Sequence, residues 1–222
     1  MTQHIFLAGA SRGVGRELAK LFSAEKIATT AMLRSDAAHD ELTALSATVV
    51  MGDALDFAQV EQAISNAGTI DAVISTIGGK PTDGERADFK GNKHLIDAAV
   101  KAGVQRFLLV SSIGTGESAA ALPPQALETL GAVLAEKEQA ENHLTDSGLI
   151  YTIVRPGGLK SEVPKGQGIL VENPLIAGSI YRADVARLVY RCLQSERAHN
   201  KILSAVDRTM VYGQPEIEEF VP

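Results

Sequence analysis

Residues 5–22 read IFLAGASRGVGRELAKLF, and their reading decides the fold. Ile5, Phe6, Leu7 and Ala8 make a short apolar run, the mark of a buried strand. The run breaks at once into a turn holding Gly9, Gly13 and Gly15. Beyond it, Val14, Leu18, Leu21 and Phe22 recur along one face of a helix. A strand, a glycine-rich turn and a helix in this order have a specific physical use. Gly9 permits the tight reversal, Gly13 lets the backbone approach a pyrophosphate, and Gly15 lets the helix pack closely on the strand. The free N–H groups and positive end of that helix favour phosphate oxygens. Ser11, Arg12 and Val14 share the turn and join the three glycines as candidate dinucleotide contacts.

The 222 residues suit one domain spanning 1–222, with 159–222 expected to supply a cap on the substrate side. The formal net charge of −6 argues against a nucleic-acid partner, which needs a basic face. No apolar run approaches the length of a membrane span, and the first residues lack a basic-then-apolar signal, so a cytoplasmic location is expected. A single cysteine, Cys192, excludes an intrachain disulfide; set among Val189, Tyr190 and Leu193, it reads as a small core residue. The five histidines are scattered without ligand spacing, so no metal site is expected.

Along the chain, strands and helices alternate. Residues 27–33 form a second strand ending at Arg34, about 20 residues past the glycines, where the adenosine ribose is read. An acidic residue there would favour NAD. Arg34, with Arg12 nearby, favours the 2′-phosphate of NADP, so NADP is expected over NAD. Asp36 is the counter-argument, unless it caps a helix over 37–45. A third strand at 48–51 leads to Asp53 and Ala54, candidates for the adenine side, while Asp56 caps the next helix. A fourth strand at 71–75 runs into Thr76, Ile77, Gly78 and Gly79, a turn assigned to the ribose side of the cofactor. Residues 80–87 are polar, 88–102 helical, and 106–110 form a fifth strand ending at Ser111 and Ser112. This repeat demands a parallel sheet with helices on both faces.

Residues 113–125 read as irregular, suiting a mobile lid or plain disorder. A helix over 126–145 carries Lys137, and a strand at 150–154 is broken by Arg155, Pro156, Gly157 and Gly158. From 159 to 182 the chain is rich in Gly and Pro, with a short apolar run at 168–171. A helix over 183–193 and a strand at 201–206 follow.

With Gly9, Gly13 and Gly15, the Asp53 turn, Ser111-Ser112, Lys137 and Tyr151-Thr-Ile-Val-Arg-Pro-Gly157 in order, the chain resembles the short-chain dehydrogenase/reductase superfamily. It is most similar to the atypical NAD(P)-binding branch that includes biliverdin/flavin reductases and NmrA-like proteins. The resemblance implies α/β architecture: a single Rossmann-type doubly wound parallel sheet with a small C-terminal capping segment. It also implies bound NADP or NAD, with the nicotinamide near Ser111, Ser112, Pro156, Gly157, Gly158 and Leu159. Lys137 would hold the nicotinamide ribose, and Ser111, Ser112 and Lys137 are the candidate catalytic residues. Typical members place a tyrosine four residues before the lysine as general acid/base; here that position is Val133. Tyr151 stands in the following strand and does not replace it.

Three functions fit these residues. The first is an NADPH-dependent oxidoreductase passing hydride to a small acceptor such as a flavin, quinone or tetrapyrrole. The second is an NADP(H)-binding sensor or scaffold with a protein partner. The third is a nucleotide-sugar epimerase or dehydratase, disfavoured by the missing tyrosine.

Overall fold

Apolar side chains alternate along the central strands, and this period of two builds a core on each face of one sheet. In the computed structural model the residues described are 3–78 and 85–222. Their strands are β1 (His4–Ala8), β2 (Ala28–Leu33), β3 (Thr48–Met51), β4 (Ala72–Ser75), β5 (Arg106–Val110), β6 (Ile150–Pro156), β7 (Gly158–Lys160), β8 (Gly168–Val171), β9 (Ser179–Tyr181) and β10 (Lys201–Asp207). The helices are α1 (Gly13–Ala24), α2 (His39–Ala44), α3 (Phe57–Asn66), α4 (Lys90–Lys101), α5 (Pro124–Thr145) and α6 (Arg182–Leu193). Eight strands form the main sheet in the order β3-β2-β1-β4-β5-β6-β10-β8, parallel throughout except that β8 runs antiparallel to β10.

Ile5 and Leu7 of β1 point to one core, with Leu18 and Phe22 of α1 and Val185 and Val189 of α6. Phe6 and Ala8 point to the other, with Val60 and Ile64 of α3 and Leu95 and Ile96 of α4. The sheet is therefore doubly wound, as its alternating sequence demands. Strand order reverses between β1 and β4, so the chain opens a crevice at the carboxyl ends of these strands.

Some expectations are corrected. Residues 113–125 are not an irregular lid: Gly116–Ala121 forms a 3-10 helix, and Ile113, Gly114, Thr115 and Ser118 are buried. Thr115 Oγ1 donates to Glu141 Oε1 at 2.8 Å, and Arg155 holds the same carboxylate through Nε and Nη2. A buried Arg–Glu pair thereby ties the segment to α5 and β6. Asp36 does not cap a helix through its side chain; it opens a short 3-10 turn (Asp36–Ala38) before α2. The stretch after β6 carries the expected helix and final strand, as α6 and β10. β10 and β8 extend the sheet, α6 packs on α1, and β7 pairs with β9 in a small second sheet. Local sequence hid these strands because β7 and β9 have three residues each.

Cys192 is buried in the first core, and burial pushes its thiol up to about 12. Arg106, at the start of β5, donates to the carbonyls of Cys192 and Leu193 at 2.5 Å and of Ser195 at 3.1 Å. A cation thus caps the negative end of α6. No helix among the described residues is long and apolar enough to cross a membrane.

Candidate functional site: a cleft at the switch point

The glycine turn takes its shape from three different constraints. Gly9 has φ +91°, open to glycine at little cost, and a Cβ there would lie 2.5 Å from Thr76 Oγ1. Gly15 has no room for a side chain, since its Cβ would stand 2.2 Å from the Gly9 carbonyl oxygen. Helix α1 therefore sits tightly on the turn. Gly13 is different: its φ is +59°, and a Cβ there would meet nothing nearer than Arg182 Nε at 3.8 Å. A Cβ there would sit in ordinary contact with Arg182, without a clash, and Gly13 lines a cleft of about 1120 Å³. Such a volume exceeds the usual range of drug-sized pockets.

Most residues singled out in the sequence line this cleft. Gly9, Ser11, Arg12, Gly13 and Val14 form one wall. Arg34, Asp53 and Ala54 stand at the ends of β2 and β3, and Thr76, Ile77 and Gly78 follow β4. Ser111, Ser112, Lys137, Pro156, Gly157 and Leu159 complete the other end. Two candidates lie off the wall: Gly15 packs behind the turn, and a Cβ on Gly158 would meet Ser179 rather than the cleft. Gly79 and residues 80–84 are outside the described residues. Of 159–222, residues 159–164 with Arg182 and Ala183 reach the cleft.

Arg12 and Arg34 are exposed on the cleft and make no ion pair among the described residues. Arg16, by contrast, is held by Glu41 at 3.1 Å and by the Ser11 carbonyl at 2.8 Å. Asp53 Oδ1 accepts from Leu55 N–H at 3.0 Å, which shapes the turn after β3. Asp56 does cap α3: its carboxylate accepts from the Ala58 and Gln59 amides. The Gln59 side chain and these amides hold that carboxyl below its usual range.

At the other end, Ser111 Oγ is buried in a wall of the cleft without a hydrogen-bond partner among the described residues. Its neighbour Ser112 donates to the Ile113 carbonyl at 2.9 Å. A buried hydroxyl without a partner costs free energy unless a ligand completes it. Lys137 Nζ lies 3.0 Å from Asp88 Oδ1, and the Asp88 side chain is 1% exposed. Val133, one turn before Lys137 on α5, also lines the cleft. Tyr151 stands near the amino end of β6, opposite Phe107, while the cleft lies at the carboxyl end beyond Val154.

Asp88 and Arg182 are cleft residues that sequence reasoning missed. Asp88 reads as the start of a helix and Arg182 as the residue before one. No local signal links either of them to a glycine turn so distant in the chain.

An open parallel sheet with a glycine turn at its switch point, two unpaired arginines and an orphan hydroxyl defines a dinucleotide-binding protein. A sequence profile of the NAD(P)H-binding family matches residues 9–196, and the chain belongs to that family. The solved structure of ChuY, an anaerobilin reductase from Escherichia coli O157:H7, superposes with a TM-score of 0.85 and 32% identity, covering 96% of this chain and 100% of that one. The Bacillus subtilis (strain 168) protein YhfK, named an uncharacterized sugar epimerase, is 32% identical over 89% of this chain and 91% of its own. Sanguinarine reductase of Eschscholzia californica is 37% identical over 53% of this chain, which spans 44% of that enzyme. The chain likewise spans 46% of a 40% identical chloroplastic protein of Arabidopsis thaliana.

Proposed function

We propose that this chain is an NADPH-dependent oxidoreductase that passes hydride to a conjugated acceptor such as a flavin, a quinone or a tetrapyrrole. The observation that carries this reading is Val133. It faces the cleft one turn before Lys137, where related enzymes place a proton-donating phenol. An acceptor with an extended π-system takes up negative charge by delocalisation and draws its proton from water, so it needs no such phenol. Two similar proteins, ChuY and sanguinarine reductase, carry the name of reductases.

The residues fit the cofactor. Gly13, on the cleft wall and without a side chain, lets a pyrophosphate approach the backbone, and Arg12 and Arg34 offer guanidinium groups to a 2′-phosphate. Asp53 and Ala54 serve the adenine end, and Thr76, Ile77 and Gly78 the ribose. Lys137, steadied by Asp88, offers its ammonium to the nicotinamide ribose hydroxyls. Pro156, Gly157 and Leu159 flank the nicotinamide. When bound, the reduced nicotinamide supplies a hydride. Ser111 then orients the carboxamide or the acceptor through its free hydroxyl. The protein thus contributes position rather than acid/base chemistry. The partner in this reading is a small molecule, met in the cytoplasm.

Loss of NADPH absorbance, followed with flavin, quinone and biliverdin in turn, tests the proposal. Turnover of at least one acceptor is expected. Tight NADPH binding without turnover of any of them would favour a sensor. Turnover of a nucleotide sugar would favour the epimerase that the name of YhfK suggests.

A further inference from the structure

Arg182 opens α6, immediately after β9, and lines the cleft. Its Nη1 donates to the Leu159 carbonyl at 3.2 Å and to Ser161 Oγ at 2.7 Å. These bonds occupy one corner of the guanidinium. The Nε and Nη2 edge makes no hydrogen bond among the described residues, and Arg182 forms no ion pair there. Nε is also the atom nearest to the empty side-chain position of Gly13, 3.8 Å from where a Cβ would stand and so in ordinary contact with it. The edge of a guanidinium that carries Nε and one Nη is the one that binds phosphate in a fork.

The two residues are held in a fixed relation. Gly13 begins α1 and Arg182 begins α6, and these helices share one core, with Phe22 and Tyr190 in edge contact at 6.3 Å. On its other side, β9 pairs with β7, setting Lys160 opposite Tyr181 just before the arginine. Arg182 therefore stands between the glycine turn and residues 159–164, which also line the cleft.

We infer that Arg182 is a second-side ligand of the cofactor pyrophosphate, and that it couples dinucleotide binding to the seating of residues 159–164 over the acceptor site. This rests on the reading of the cleft as a dinucleotide site. The Nε and Nη2 edge takes the phosphate while Nη1 keeps its hold on Leu159 and Ser161. With the phosphate in place, the side chain is fixed at both ends, and residues 159–164 with it. Cofactor binding thus prepares the wall against which the acceptor docks, and gives an order of binding with the dinucleotide first.

Titration calorimetry of the full chain with two ligands tests the phosphate contact. ADP-ribose carries the pyrophosphate; adenosine 2′-monophosphate does not. Arg182→Met should weaken ADP-ribose about ten- to a hundredfold and leave the monophosphate within about twofold. Arg182→Lys should restore part of the loss by keeping the charge. Amide hydrogen exchange tests the coupling: NADPH should slow exchange over 159–164 in the unaltered chain, and Ser161→Ala should reduce that slowing without weakening ADP-ribose. Should Arg182→Met fail to fold, Arg182→Lys and Ser161→Ala decide the matter by the same two readouts. ADP-ribose affinity unchanged in Arg182→Met, or NADPH protection of 159–164 unchanged in Ser161→Ala, would overturn the inference. An unaltered chain that binds neither ligand would instead sink the dinucleotide reading, and this inference with it.

Discussion

Lys137 of α5 and Asp88, just before α4, meet at 3.0 Å in the wall of the cleft, one side chain 16% exposed and the other 1%. Asp88 is fixed from below, because its carbonyl accepts from Asn92 Nδ2 at 2.8 Å and Asn92 Oδ1 accepts from Ser75 Oγ at 2.6 Å. The ammonium is thus aimed by a chain that begins at the end of β4. Lys137→Met should weaken NADPH binding about tenfold, the worth of a charge-assisted hydrogen bond. Asp88→Asn should show a smaller loss, because the lysine remains but is no longer steered. Fluorescence titration with NADPH measures both, and equal affinity in all three proteins would remove Lys137 from the site.

In the proposed reading cofactor preference turns on Arg34 and Arg12, both on the cleft and without ion pairs among the described residues. NADPH should bind more tightly than NADH. Arg34→Ala should cost about 1.5–3 kcal/mol with NADPH, roughly ten- to a hundredfold, and little with NADH. Equal binding of the two cofactors by the unaltered protein would refute this.

The glycines should separate by function. Gly13→Val places a branched side chain on the cleft wall against Arg182 and should abolish dinucleotide binding. Its φ of +59° adds a backbone cost of about 1–2 kcal/mol, leaving a folded protein. Gly15→Ala should instead damage the fold, since the new Cβ would stand 2.2 Å from the Gly9 carbonyl oxygen. Melting temperatures and NADPH titrations on the two variants check the contrast.

Ser111→Ala removes a buried hydroxyl that has no hydrogen-bond partner among the described residues. Stability should hold or rise slightly, because an unsatisfied polar group is lost, while turnover falls modestly. Tyr151→Phe should leave turnover unchanged, as Tyr151 stands near the far end of β6. A drop in turnover with Tyr151→Phe equal to that of Ser111→Ala would contradict this placement.

Cys192 yields a pH prediction. Burial raises its thiol from 9.0 to about 12 in the folded chain, so the folded state holds its proton where the unfolded state has released it. The contribution to stability is complete below about pH 9 and is lost as pH rises toward 12. Denaturant melts should show that decline, weakened in Cys192→Ala. Thiol reagents should modify Cys192 only on unfolding.

How much was legible in the sequence differs from residue to residue. Ile5 to Ala8 and the glycines after them announce strand, turn and helix, because burial period and backbone freedom are local properties that a short stretch carries whole. The alternation then demands the parallel sheet, and strand ends locate Arg34, Asp53 and Ser111 on its carboxyl edge. Val133 is equally readable, as a spacing to Lys137 along one helix.

Other features existed only in three dimensions. The pairing of β7 with β9 links strands too short to have a period of their own. The ordering of residues 113–125 depends on Glu141 and Arg155, which belong to later elements. Asp88 beside Lys137, and Arg182 beside Gly13, join residues far apart in the chain. Sequence pattern determines which residues share a face, since that follows from the rise and turn of one element. Which residues of different elements meet across a cleft follows from how the finished layers pack, and that was decided by the tertiary structure alone.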